Sequence, residues 1–486
     1  MSFPFQTLPL LLTTALILLK TIFLHILGLS PTSKKWDLHT ALTVTALRAI
    51  LSQSHKSSIT AQQQRSIQDR PVRGPMWTSR VTFPVSPSES IREAVFDAIQ
   101  ALGNGHQEYA LPKCEPVTAE WTGYREIEKA STPESEITEK EKYARLMDET
   151  TSPVMLLYFH GGAYYLMDPA SHRGVVAEYA RRTGGRALSV RYRLAPKHAF
   201  PSQLLDALLV YLSVLYPPKD AFHSPIRPEN IVFGGDSSGG NLALALLQTI
   251  LQLRRSAHEN ENENAEPTIS FHGRPVPIPL PTGISLISPT LDLTRSLRSP
   301  TPYDYLALTS PTHNPVASSP HCNLWPSTPP RADLFTTPSM LTHPLVSPLA
   351  AIPSTWAGSP PIFISCGEES ISLECKTFAS ILAKQGVSVT WEQYEAMPHC
   401  FSHLFLRRRV GKMAVEGVAG FLKGVVEESE AVRTRGCFIK ARSLEREEVD
   451  VAGLGGGVED AVLGKMERAQ DEINIEWENT ILNNSY

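Results

Sequence analysis

From residue 154 onward, short apolar runs alternate with stretches of helical periodicity. Residues 154–159 are continuously apolar and of strand length, 170–183 carry a helical pattern, and 187–192 are strand-like again. The order repeats with a helical stretch at 202–215, the β-branched run 231–233, and a further strand at 283–288. Segments 361–365 and 387–392 read as the last two strands, around a helix at 373–384. Strands alternating with helices predict an α/β fold: a mostly parallel, doubly wound sheet with right-handed crossovers and helices on both faces.

The flanks follow other patterns. Residues 8–29 are apolar apart from Lys20 and His25, and their length suits one membrane-crossing helix. No small-residue cleavage site follows, which points to an uncleaved single-pass anchor, in the endoplasmic reticulum or a related endomembrane, with its orientation open. The alternative is a helix lying in an interface. Residues 38–51 are helical in pattern, 62–73 are polar and read as a loop, and 77–84 read as an edge strand closed by Pro84. Residues 90–102 form an amphipathic helix with a Ser90–Glu93 capping box, and the acidic run 134–149 reads as a solvated face. Segment 294–345, rich in Pro, Ser and Thr, reads as a cover over the site. From 427 the chain turns charged and glycine-bearing and reads as a peripheral tail, with a helix near 461–474. The expected organisation is an anchor (1–35), a helical and edge-strand region (36–150), a catalytic domain (151–426) with an insertion (255–345), and the tail (427–486).

Bulk properties narrow this little. A net charge of −4 over 486 residues gives no support for nucleic-acid binding, and six scattered cysteines show no zinc-ligand spacing. The chemistry is local. Gly235-Asp236-Ser237-Ser238-Gly239 fits G-x-S-x-G between an apolar strand and a helix. That turn lifts a serine hydroxyl off the sheet and puts the next amide, that of Ser238, at a helix N-terminus. His160-Gly161-Gly162 follows the first apolar strand, where glycines let backbone N–H groups converge on a small anion.

These stretches, with Tyr192-Arg193-Leu194-Ala195-Pro196, Phe200-Pro201 and Met397-Pro398-His399-Cys400-Phe401, resemble the signatures of the hormone-sensitive-lipase-like esterases, an α/β-hydrolase family. They occur in the family's order across 155–423, and the hydrophobic N-terminus is similar to that of fungal membrane-anchored members, steryl-acetate deacetylases included. The resemblance implies Ser237 as nucleophile and His399 as base. It implies an oxyanion hole from the amides of Gly161, Gly162 and Ser238, with His160, Gly235, Asp236 and Gly239 in support. Ala163 stands where the family often has a third glycine, and the resemblance gives that position no donor role. The acid departs from the usual Asp: alignment puts Glu369 there, with Glu368 and Glu374 as alternatives. Asp304 is expected to anchor the cover. The implied activity is serine carboxylic-ester hydrolysis through an acyl-enzyme, on an acetyl, sterol or lipid ester, with no metal or organic cofactor. The rival readings are a ligand-binding protein on the same fold, and an amidase or transacylase using the same groups. Oligomeric state is open.

Overall fold

The computed structural model describes residues 8–85, 90–126, 137–260, 266–306, 319–328, 331–428 and 432–483. Its centre is a ten-stranded sheet, built from β1 (Met76–Phe83), β2 (Val117–Tyr124), β3 (Met155–Phe159), β4 (Arg186–Arg191) and β5 (Ile231–Asp236) in its first half. A small separate hairpin, β6 (Thr268–Phe271) and β7 (Arg274–Pro277), precedes β8 (Gly283–Ile287), β9 (Ile362–Gly367), β10 (Val389–Tyr394), β11 (Arg435–Ile439) and β12 (Arg446–Glu448). The order is β1-β2-β4-β3-β5-β8-β9-β10-β11-β12. All neighbours from β4 to β11 are parallel, and the outer pairs β1–β2, β2–β4 and β11–β12 are antiparallel.

Parallel strands are covered on both faces, which is why β3 reads as an unbroken apolar run. Leu156 and Tyr158 point to one side, where Val175, Val176 and Tyr179 of helix Pro169–Thr183 meet Val415, Val418 and Phe421 of helix Arg409–Glu427. Met155, Leu157 and Phe159 point to the other, against helices Ser202–Leu215, Ser238–Asn260 and Ser90–Leu102. Side-chain alternation along a strand thus divides one apolar run between two cores. The turns after β3, β5, β8, β9 and β10 all emerge at the carboxyl edge, the edge where parallel α/β sheets place their sites.

Three expectations change. Helix Leu8–Ile26 has 19 residues and includes Lys20, and among the described residues no helix is long and apolar enough to cross a membrane. The expected single-pass anchor therefore finds no support among the described residues. The polar stretch expected as a loop begins inside helix Ile59–Ser66, where the Ser58 hydroxyl accepts from Ala61 N (3.3 Å) and Gln63 Nε2 donates to Tyr165 O and Ala195 O, both at 2.8 Å. Tertiary hydrogen bonds, not periodicity, hold it in place. The supposed peripheral tail supplies β11 and β12 at the sheet edge, and helix Val462–Asn483 buries Val462, Met466 and Ala469. Parts of the expected acidic face (134–136) and of the cover (307–318 and 329–330) lie outside the described residues.

Candidate active site

The turn after β5 holds Ser237 at φ 50°, in the left-handed region that costs a non-glycine residue free energy. Its flanks must be bare. A Cβ on Gly239 would stand 2.0 Å from Phe159 O, and one on Gly235 2.4 Å from the Gly239 carbonyl carbon. The turn is pinned by Ser237 N donating to Ile287 O (2.9 Å) and by Thr290 N and Asn241 N donating to Ser237 O (3.1 Å each).

Ser237 Oγ lies 2.9 Å from His399 Nε2, and His399 Nδ1 bonds Glu369 Oε2. Of the three candidate carboxylates, only Glu369 reaches the imidazole. Glu368 accepts from Ala396 N at 2.8 Å, bracing the turn before His399. Glu374 accepts from Leu291 N (3.0 Å) and Asp292 N (3.1 Å), and burial pushes its pKa up to about 8. Burial disfavours a charged imidazole at His399, but its neighbours Cys400 and Glu369 override that and raise its pKa well above the ordinary value.

Ser288 is a residue the sequence reading missed. Its hydroxyl donates to Glu369 Oε1 (2.6 Å) and accepts from Cys400 N (3.1 Å), so it braces the acid and the turn carrying the base at once. Gly367 N adds a second bond to Glu369 Oε1 at 3.0 Å. The signal available was position alone: Ser288 directly follows β8 at the sheet's carboxyl edge. Asp304 works from the other side. Its carboxylate accepts from Ser370 N (2.8 Å), Ser370 Oγ (2.9 Å) and His399 N (3.3 Å). Its carbonyl receives Arg48 Nε (2.6 Å), which ties helix Leu38–Leu51 to the site.

One expected anion donor is corrected. Gly161 N donates to Asp236 Oδ1 at 2.9 Å, so that amide is spent on a carboxylate and faces away from an incoming oxygen. Gly162 (φ 118°), Ala163 (φ 52°) and Tyr164 (φ 64°) form a left-handed turn after β3. Tyr164 N donates to Ser238 Oγ at 3.2 Å, which seats this turn one residue from Ser237. Among the described residues, the N–H groups of Gly162, Ala163 and Ser238 have no protein acceptor. His160 stacks on Tyr192 with ring centroids 4.4 Å apart, and burial lowers its pKa to about 3. It is a neutral buttress.

A strained serine after a central strand, a carboxylate after β9 and a histidine after β10, in that chain order, are the layout of an α/β-hydrolase site. A family model described as alpha/beta hydrolase fold matches residues 156–403, just over half of the chain, and the chain belongs to this family. Among curated relatives, an acetyl-hydrolase of Streptomyces hygroscopicus is 27% identical over 277 residues, covering 56% of this chain and 76% of its own length. An esterase of Acinetobacter venetianus is 32% identical over 152 residues, covering 31% of this chain and only 40% of the esterase. A crystallised double mutant of the esterase E40 superposes with a TM-score of 0.50 at 20% identity, covering 79% of this chain and 97% of that one, a likeness of fold.

Proposed function

We propose that this protein is a serine carboxylic-ester hydrolase. The observation that carries the reading is the unbroken line from Ser237 Oγ to His399 Nε2 at 2.9 Å and from His399 Nδ1 to Glu369. A serine hydroxyl needs a neighbouring base to attack a carbonyl at neutral pH. In the acylation step His399 takes the Ser237 proton as Oγ bonds the carbonyl carbon, Glu369 holds the imidazolium, and the same proton passes to the departing alcohol. A water activated by His399 then releases the acid. The amides of Gly162, Ala163 and Ser238 are the donors for the tetrahedral oxygen. Each such donor typically contributes about 3–4 kcal/mol to the transition state. No step calls for a metal or an organic cofactor.

The relatives' names, esterase and acetyl-hydrolase, favour a small acyl group. Leu16, Leu19, Phe23 and Ile26, all exposed on helix Leu8–Ile26, favour an ester met at an apolar surface. The test is hydrolysis of p-nitrophenyl esters of increasing acyl length, with fluorophosphonate labelling of the same preparations. Ser237→Ala and His399→Ala should each lower kcat by about 10⁴–10⁶-fold, and labelling should vanish with Ser237. A folded wild type that cleaves no ester and takes no label would move the reading to a ligand-binding protein. Loss of vesicle co-sedimentation in Leu16→Glu/Phe23→Glu would support the apolar-surface reading, and unchanged sedimentation would remove it.

A further inference from the structure

Beneath the nucleophile turn lies a second group of titratable side chains that ester cleavage does not use. Asp236, the residue before Ser237, is buried, with His172 Nε2 3.2 Å from Oδ1 and His403 Nδ1 3.8 Å from Oδ2. The three side chains offer one ligand atom each, all within 4.8 Å of one another. They come from separate elements: helix Pro169–Thr183, the end of β5, and the short helix Phe401–Leu404 that follows His399.

We propose that His172, Asp236 and His403 form a binding site for a divalent transition cation of the zinc class, with the fourth position open to water. Two imidazoles and one carboxylate are a donor set that suits zinc, which binds such ligands at about 2.0–2.2 Å in tetrahedral geometry. Ligand atoms of such a tetrahedron lie about 3.3–3.5 Å apart, as those bond lengths require. On Asp236 Oδ2, His172 Nε2 at 3.3 Å already fits this, while His403 Nδ1 at 3.8 Å lies outside it and the three ligand atoms spread over as much as 4.8 Å, so loading needs an inward movement of His403. The cation would replace the His172–Asp236 hydrogen bond, and the displaced proton would pass to solvent.

The surroundings resemble the outer shell of a metal centre, in which each ligand is oriented by a further partner. His172 Nδ1 pairs with Ser171 Oγ at 2.8 Å, which turns Nε2 toward the carboxylate. Asp236 Oδ1 accepts from Tyr158 OH (2.7 Å) and Gly161 N (2.9 Å), while Oδ2 faces His172 Nε2 (3.3 Å), His403 Nδ1 (3.8 Å) and the Cys400 thiol (3.8 Å). His403 presents Nδ1 toward the carboxylate. Its Nε2 is buried with no hydrogen-bond partner, so that nitrogen does nothing to hold the ring in its present place. The side chain is 15% exposed, which gives a cation a way in. A cation here would clamp the elbow, the turn after β3 and the turn carrying His399 together, and metal loading would thereby reach the ester site without entering its chemistry.

The test is titration of chelator-stripped full-length protein with Co²⁺, whose four-coordinate complexes absorb visible light far more strongly than the aqua ion, followed by Zn²⁺ displacement. One Co²⁺ per chain with an intense visible band is expected. His403→Gln should lose the band and weaken binding at least tenfold while Ser237 still takes fluorophosphonate, and His106→Gln, on the exposed surface, should change nothing. No stoichiometric binding by wild type, or a band that survives in His403→Gln, overturns the site. Should His403→Gln fail to fold, diethyl pyrocarbonate footprinting of wild type decides. Zn²⁺ must shield His172 and His403 from modification, and equal labelling with and without Zn²⁺ overturns the proposal.

Discussion

Two buried carboxylate–imidazole pairs flank Ser237: Glu369 with His399, and Asp236 with His172. Residue types and burial barely distinguish them. The difference lies in what the second ring nitrogen meets. His399 Nε2 faces a hydroxyl held in strained backbone and, among the described residues, bonded otherwise only to Thr290 Oγ1, at 3.5 Å. His172 Nδ1 meets Ser171 Oγ, which is engaged in the capping box of its own helix with Asp168. One pair is open toward a substrate and the other is closed into the scaffold. A histidine–carboxylate contact becomes a catalytic relay only when the far nitrogen is aimed at a group with a reaction to perform.

The contrast is sharpest for Glu369→Gln, which should lower kcat/KM by about 10²–10⁴-fold while leaving the fold intact. His399 works only as the free base, and its pKa is raised in the folded protein. The acid limb of the wild-type pH–rate profile should therefore lie above the ordinary histidine range. Removing the carboxylate should move that limb toward lower pH, and an unmoved limb would detach Glu369 from His399. Asp236→Asn should do the reverse: a stability loss of about 3–5 kcal/mol, as for breaking one side of a buried pair, with a smaller fall in turnover per folded molecule. Chemical denaturation alongside active-site titration separates the two. Ser288→Ala strips one bond from a charged acceptor, worth about 1.5–3 kcal/mol, and should lower kcat about tenfold with little change in KM. The smallest effect is expected at Glu374, which belongs to neither pair. Its folded pKa is raised to about 8 from an ordinary 4.5. The unfolded chain then releases its proton first, so stability falls as pH rises between those values. Glu374→Gln should flatten that slope in denaturation curves.

How much of this the sequence could show depends on range. Strands β3, β4, β5, β8, β9 and β10 were legible because a strand buried on both faces writes itself as a local apolar run. Ser237 and His399 were legible from short motifs, and the acid was narrowed to three neighbouring glutamates. Glu369 stands in the turn between β9 and helix Ser372–Lys384, and Glu374 in that helix's first turn, which decides whether the carboxylate points across to His399 or back toward Leu291. Gly161 was misassigned because its amide partner, Asp236, is 75 residues away. Ser288 was missed for the same reason, since its partners Glu369 and Cys400 are 81 and 112 residues distant. β12 could not be read at all: its residues Arg446, Glu447 and Glu448 are charged and exposed, and only pairing with β11 makes them a strand.

That same short, charged strand has a consequence for solubility. β10 is buried along its whole length, and without β11 and β12 its unpaired N–H and C=O groups would form an open strand edge to which another chain could pair. Arg446, Glu447 and Glu448 end the sheet in exposed charges, where a second molecule gains little by adding a strand. The segment after Glu427 thus guards the colloidal behaviour of the molecule, and a chain cut at the end of that helix would self-associate with its Ser237 site still in place.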